Sequence, residues 1–155
     1  MRNILCFCLL VAILTIACNK KKPELPLHLD TFSANVNGIA FAPASLEVLY
    51  GGSSVPGAKQ VNIAAMGANG HEVTLIMLDY DGTLKTFTNN IGAYSIAQGL
   101  YNSSYSTSGQ IKLSSIDKST YRDGEVATGT FQFDTDSTVG TYHVTNGNFS
   151  VFVKQ

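Results

Sequence analysis

From Asp30 to the C-terminus the chain predicts an all-β fold, an antiparallel meander forming a β-sandwich or flattened barrel of about eight to ten strands. Three observations carry this reading. Apolar and polar residues alternate over short runs, the period of a half-buried strand. Those runs are broken at regular spacing by turn residues, and no segment sustains a helical stripe of period 3.6. All four prolines fall at or before Pro56. The rest of the chain is therefore free of the one residue that cannot donate to a ladder.

Each element follows from its residues. Phe32, Ala34 and Val36 alternate with polar residues, and Asn37-Gly38 supplies the positive φ of a tight hairpin. Ile39 to Ala42 returns. Pro43 to Tyr50 is ambiguous: Leu46, Val48 and Tyr50 alternate, but Ala44 to Leu49 fits one helical turn. Val61, Ile63 and Ala65 form the next strand. Glu72 to Asp79 is apolar on both parities, the pattern of a central strand covered on both faces. Asp79 to Gly82 turns the chain. Shorter strands follow around Leu84 to Thr88, Ala93 to Ile96 and Tyr101 to Ser106, and Gln110 to Ile116 puts Ile111 and Leu113 on one face. In Glu125 to Asp134, Val126 and Thr128 lie on one parity and Phe131 and Phe133 on the other, so Gly129 is expected to be a bulge that switches the face. Val139 to Val144 returns, Asn146-Gly147 reads as a second hairpin, and Phe149, Val151 and Val153 close the chain. Phe131, Phe133, Phe149 and Val151 are the expected core, on neighbouring strands.

The N-terminus has a different texture. Arg2 precedes an apolar run from Ile4 to Ile16, then Leu14-Thr15-Ile16-Ala17-Cys18 and the polar Asn19-Lys20-Lys21-Lys22. A basic start, a short apolar core and a small residue before the cut are the parts of a secretory signal. The run is shorter than the roughly 20 residues a spanning helix needs. The cysteine at the junction resembles the lipobox of bacterial lipoproteins, which implies a signal peptide over residues 1–17 and acylation of Cys18. Residues 18–29 then read as the acylated N-terminus and a flexible tether carrying Pro23 and Pro26, and residues 30–155 as a single β domain. The implied place is the bacterial cell envelope, with the chain anchored to the outer membrane through lipid on Cys18.

Composition excludes several function classes. Cys6 and Cys8 leave with the signal and Cys18 is lipidated, so no thiol remains for catalysis, a disulfide or a zinc site. From Asp30 on, six basic residues against ten acidic ones leave the domain at −4, without the basic stripe that nucleic acid requires. Asp79-x-Asp81-Gly82 resembles the start of a calcium loop, but no acid follows at the required spacing, and Asp and Gly are ordinary turn residues. Asp134-x-Asp136 reads the same way. Asp136-Ser137-Thr138 matches a short acceptor pattern for O-glycosylation and equally a hairpin turn. No Gly-x-Ser-x-Gly accompanies His28, His71 or His143, so rim histidines are expected. No cofactor is implied.

Phe32-Ser33-Ala34-Asn35-Val36-Asn37-Gly38, Gly109-Gln110-Ile111-Lys112-Leu113, Gly129-Thr130-Phe131-Gln132-Phe133 and Val144-Thr145-Asn146-Gly147-Asn148-Phe149 occur in this order. The chain thus resembles a family of small bacterial envelope lipoproteins of unknown function that pair a lipobox with one all-β domain. Such proteins often carry a tryptophan after the first Asn-Gly, where Phe41 stands here. The resemblance implies no catalytic residues. The expected function is a non-enzymatic interaction or binding role, with an envelope protein or a glycan as partner. Tyr94, Tyr101, Tyr105, Tyr121 and Tyr142 are the candidate ligand-binding residues, because tyrosine combines a flat apolar face with a polar tip. A first alternative is a calycin-like barrel holding a small apolar molecule or sugar, for which a large internal cavity is the requirement. A second is a glycan-active hydrolase, which needs two acids facing each other in a cleft.

Overall fold

The computed structural model describes residues 28–52, 59–96, 103–119, 123–136 and 140–154. Among them run ten strands: β1 (Thr31–Val36), β2 (Ile39–Phe41), β3 (Pro43–Gly52), β4 (Lys59–Gly67), β5 (Glu72–Leu78), β6 (Thr86–Phe87), β7 (Gly92–Ser95), β8 (Ser103–Lys118), β9 (Gly124–Thr135) and β10 (Tyr142–Lys154). Cys18, the signal segment and most of the tether lie outside the described residues.

Every pairing is antiparallel, and the strand order is β2-β1-β10-β9-β8-β7-β5-β4-β3, with β6 beside β8. From β3 to β10 the sheet is a meander, and β10 then pairs back onto β1. The predicted all-β meander is thus present, and the sheet curls until it is nearly closed into a barrel. The long β8 joins its halves: Ser103–Tyr105 pair with β7, and Ser106–Lys118 pair with β9. The edge strand β3 comes up against β1 and β10 without forming a ladder with either, which leaves a seam.

Strand alternation fills the interior. Val61, Ile63 and Ala65 of β4, Val73, Leu75 and Met77 of β5, Ile111 and Leu113 of β8, and Val151 and Val153 of β10 are buried on one face. Phe131, Phe133 and Phe149 are buried with them as expected, and the ring of Phe32 packs tilted against that of Phe131 with centroids 5.0 Å apart. Burying each such side chain is worth about 1.5–3 kcal/mol. β6 adds Phe87, and the adjoining segment adds Ile91.

Five local expectations are corrected. Pro43–Gly52 is a strand throughout, because its apolar alternation pairs Leu46 with Ala65 and Val48 with Ile63. β5 is not covered on both faces: Thr74, Ile76 and Leu78 on its outer side remain half-buried. Gly129 does not switch the face of β9, whose inward residues run unbroken from Glu125 through Ala127 and Gly129 to Phe133 and Thr135. The extra residue, Ser114, lies instead on β8 opposite Thr128 and Gly129. Asn146-Gly147 is not a hairpin. Thr145 and Asn146 form a bulge inside β10, because Val144 pairs with Phe133 while Gly147 pairs with Phe131. Likewise, Ser103–Ser106, the described part of the expected Tyr101–Ser106 strand, and Gln110–Ile116 belong to one strand, with Gly109 taking a φ of 128° between them.

Candidate functional site

The five candidate tyrosines do not form one cluster. Tyr94 pairs with Ser104 on the inner face of the sheet, whereas Tyr105 pairs with Ala93 on the outer face. Tyr94 is buried, its hydroxyl lies 2.6 Å from His71 Nδ1, and its ring centroid is 4.4 Å from that of Tyr142. Burial, followed by the neighbouring Tyr142, raises the pKa of the Tyr94 hydroxyl. This trio stops the barrel at the pole where β4 turns into β5 and β10 begins. Tyr105 is 55% exposed. It borders a shallow outer groove of about 370 Å³ with Glu72, Thr74, Ser95 and Ser103. There Thr74 Oγ1 donates to Glu72 Oε1 at 2.6 Å, and the Ser95 and Ser103 hydroxyls meet at 2.7 Å. Tyr101 and Tyr121 lie outside the described residues.

The opposite pole is closed by a polar pair that sequence reasoning missed. Tyr80 turns inward from the loop after β5, and its hydroxyl donates to Glu125 Oε1 at 2.5 Å. Both residues are buried, Glu125 at 1% exposure. Burial first, then the bond to Glu125 and its charge, raises the Tyr80 hydroxyl pKa. The ring of Tyr50 meets Tyr80 edge-on, and Lys59 Nζ stands 5.6 Å from the Tyr50 centroid. The loop carrying Tyr80 is fastened from outside. Asp81 Oδ1 accepts from Thr83 N and Oγ1, Asp81 Oδ2 lies 3.2 Å from Lys85 Nζ, and Lys85 also donates to the Asp79 carbonyl. Bonds from Thr83 first, and then from Lys85, hold the Asp81 carboxyl down to a pKa of about 2. The unbroken parity of β9 was the available signal: it places Glu125 on the face of Phe131 and Phe133.

A cleft bounded by described residues lies at the seam. It measures about 850 Å³. That falls within the roughly 300–1,000 Å³ of ordinary ligand pockets. Its walls come from both sides of the missing ladder. Leu46 and Val48 project from the inner face of β3 and are only half-buried, since no strand covers them. Facing them are Phe152 and Lys154 of β10, with His28, Leu29, Asp30 and Asp123 at the rim. The N-terminal residues are held in place: His28 Nε2 lies 3.2 Å from the Ser150 carbonyl, and Phe152 N donates to Asp30 Oδ1 at 2.7 Å. Half of the lining residues are apolar (Leu29, Leu46, Val48 and Phe152) and half are ionisable (His28, Asp30, Asp123 and Lys154).

Neither polar constellation gathers metal ligands, and among the described residues no three His, Cys, Asp or Glu side chains group together. His143 sits at the rim, with Nδ1 2.7 Å from Asp134 Oδ1, and this bond lowers the Asp134 carboxyl pKa. The chain matches no family model, no curated protein and no solved structure.

Proposed function

We propose that this chain is a lipid-anchored, non-enzymatic binding protein of the bacterial cell envelope, and that the barrel is a scaffold whose ligand occupies the seam groove. The single observation that carries the reading is the groove itself, a cleft lined by both apolar and ionisable side chains where the sheet fails to close. The interior is a poor alternative, because large side chains from both halves of the sheet fill it. The ligand class that fits is a small apolar or amphiphilic molecule, with its apolar part against Leu46, Val48 and Phe152.

An anilinonaphthalene sulfonate probe tests the groove. Its fluorescence should rise saturably with the wild-type protein and stay low with Val48→Asp, circular dichroism showing that the variant is folded at the temperature of the titration. A variant that binds the probe as the wild type does would remove the site. The anchor is tested separately: Cys18→Ser should leave an unprocessed or soluble form, and a processed variant that still partitions into detergent refutes it.

A glycan is the second reading, favoured by exposed Tyr105 beside the hydroxyls of Ser95 and Ser103 and the Glu72 carboxylate. Tyr105→Ala should then weaken retention on a polysaccharide matrix without touching the seam. The hydrolase reading has less support. Of the two acids at the seam, Asp30 is already used by the Phe152 amide.

A further inference from the structure

The alternating strand directions give the barrel two distinct poles. At one pole β3, β5, β8 and β10 end and β1, β4 and β9 begin. The described chain begins there at His28, beside Ser150 and Phe152. At the other pole stand the Asn37-Gly38 turn, Asp134 and the start of β10.

The first pole has an amphipathic rim. Leu29, at 77% exposure, stands on the β1 side, and Leu84, at 61%, stands beyond β8, next to Lys85, whose carbonyl accepts from Leu113 N. Between them around the rim lie exposed Lys118 at the end of β8 and exposed Lys154 at the end of β10. The lysines of the other described strand ends follow the same bias: Lys59 opens β4 at this pole, opposite Gly52. Four of this pole's acids accept hydrogen bonds, Asp30 from Phe152 N, Asp81 from Thr83, Asp117 from Ser115 and Glu125 from Tyr80, and of these only Asp81 is also offset by a cation, Lys85. Asp79 and Asp123 also face this pole, so charge alone does not make it a docking surface. The leucines must contribute. A single exposed leucine needs no explanation. Leu29, however, continues into the apolar seam lined by Leu46, Val48 and Phe152.

We propose that this pole rests on the bilayer surface, with Leu29 and Leu84 in the headgroup boundary and Lys118 and Lys154 at the phosphates. The inference rests on the lipid-anchor reading. Residues 19–27 separate Cys18 from His28, and a chain extends at most about 3.3–3.6 Å per residue. The tether therefore keeps the domain within about 35 Å of its lipid but does not orient it. The leucines and lysines at the pole where it joins would supply that orientation, since apolar side chains and basic residues both bind anionic interfaces. The seam groove then opens beside the membrane.

The mature chain offers no other thiol than that of Cys18, so single-cysteine labelling is clean. Full-length, lipidated Leu29→Cys, Leu84→Cys and Ile39→Cys proteins would carry an environment-sensitive fluorophore in vesicles of phosphatidylethanolamine and phosphatidylglycerol. All three positions are exposed, so the labels should leave the fold intact. Side chains buried by about 5–10 Å reach a doxyl quencher on the lipid, and the labels at 29 and 84 should lose about half their emission to it while the label at 39 keeps its own. Co-flotation with the vesicles reports the anchor independently. Flotation without quenching at 29 and 84 overturns the docking pole, leaves the anchor standing and points to a protein partner for these leucines. Equal quenching at 39 overturns the orientation. Failure to float overturns both readings.

Discussion

Glu125 and Tyr80 show how a barrel end can be plugged with polar groups. A buried acceptor is costly when it lacks a donor, and the Tyr80 hydroxyl supplies one at 2.5 Å. Tyr80→Phe should cost about 1–3 kcal/mol, the penalty for leaving that oxygen unsatisfied, measured by urea denaturation. The pair also sets an alkaline limit. The folded-state pKa of Tyr80 is raised above its ordinary value of 10.0. A raised pKa favours the protonated form in the fold, so this stability is complete below about pH 10 and is lost as pH rises beyond it. Melting temperature should fall above that point in the wild type and fall less in Tyr80→Phe. Asp81 sets the opposite limit. Its folded pKa of about 2 lies below the ordinary 3.8, so its contribution is present above that value and drains away as pH falls toward 2. Asp81 is solvent-exposed, so the effect should be local: acid loosens the Tyr80 loop, seen as loss of near-UV circular dichroism, and Asp81→Asn is already loose at neutral pH.

Two Asn-Gly pairs show what an element takes from sequence and what it takes from its neighbours. Asn37 and Gly38, with φ of 50° and 79°, make the predicted tight turn. Asn146 has nearly the same φ, 52°, yet its strand continues. The difference is not local. Gly147 lies beneath the Phe131 ring, and a Cβ there would stand 2.5 Å from it. A glycine that makes room for a ring on the next strand looks the same in sequence as one that makes a turn. Gly129 is the same case, with Phe149 2.7 Å from its missing Cβ. That is why the strands and their core aromatics were legible from alternation while the bulges were not, and the parity that places Glu125 with Phe131 was hidden by the bulge expected at Gly129. The seam was illegible for a related reason, since closure depends on how far ten strands twist. Gly147→Ala should cost about 1–3 kcal/mol through overpacking. Gly70→Ala, where the space is open and only a φ of 79° opposes the change, should cost nearer 1–2 kcal/mol. Denaturant midpoints at unchanged slope distinguish these costs from a change in the unfolded state.

At the scale of the whole molecule, what matters is whether the barrel is a container or a scaffold. Phe131 touches rings from two other strands, Phe32 at 5.0 Å and Phe149 at 6.3 Å between centroids, and Phe133 stands 6.5 Å along its own strand. Such an interior holds the two halves of the sheet together. Phe131→Ala or Phe133→Ala should cost about 3–5 kcal/mol of the roughly 5–15 kcal/mol that keeps a domain folded, so either variant should be close to unfolding. Tyr105→Ala, on the outer face, should move the midpoint little. Chelator should not move it either, because the Asp81 carboxylate is already taken by Thr83 and Lys85. If instead the phenylalanine variants stay stable and gain a ligand, the interior is a container, and the site belongs inside the barrel. If they lose stability while probe binding at the groove survives in the folded fraction, the packed barrel is a scaffold and recognition belongs to its unclosed edge.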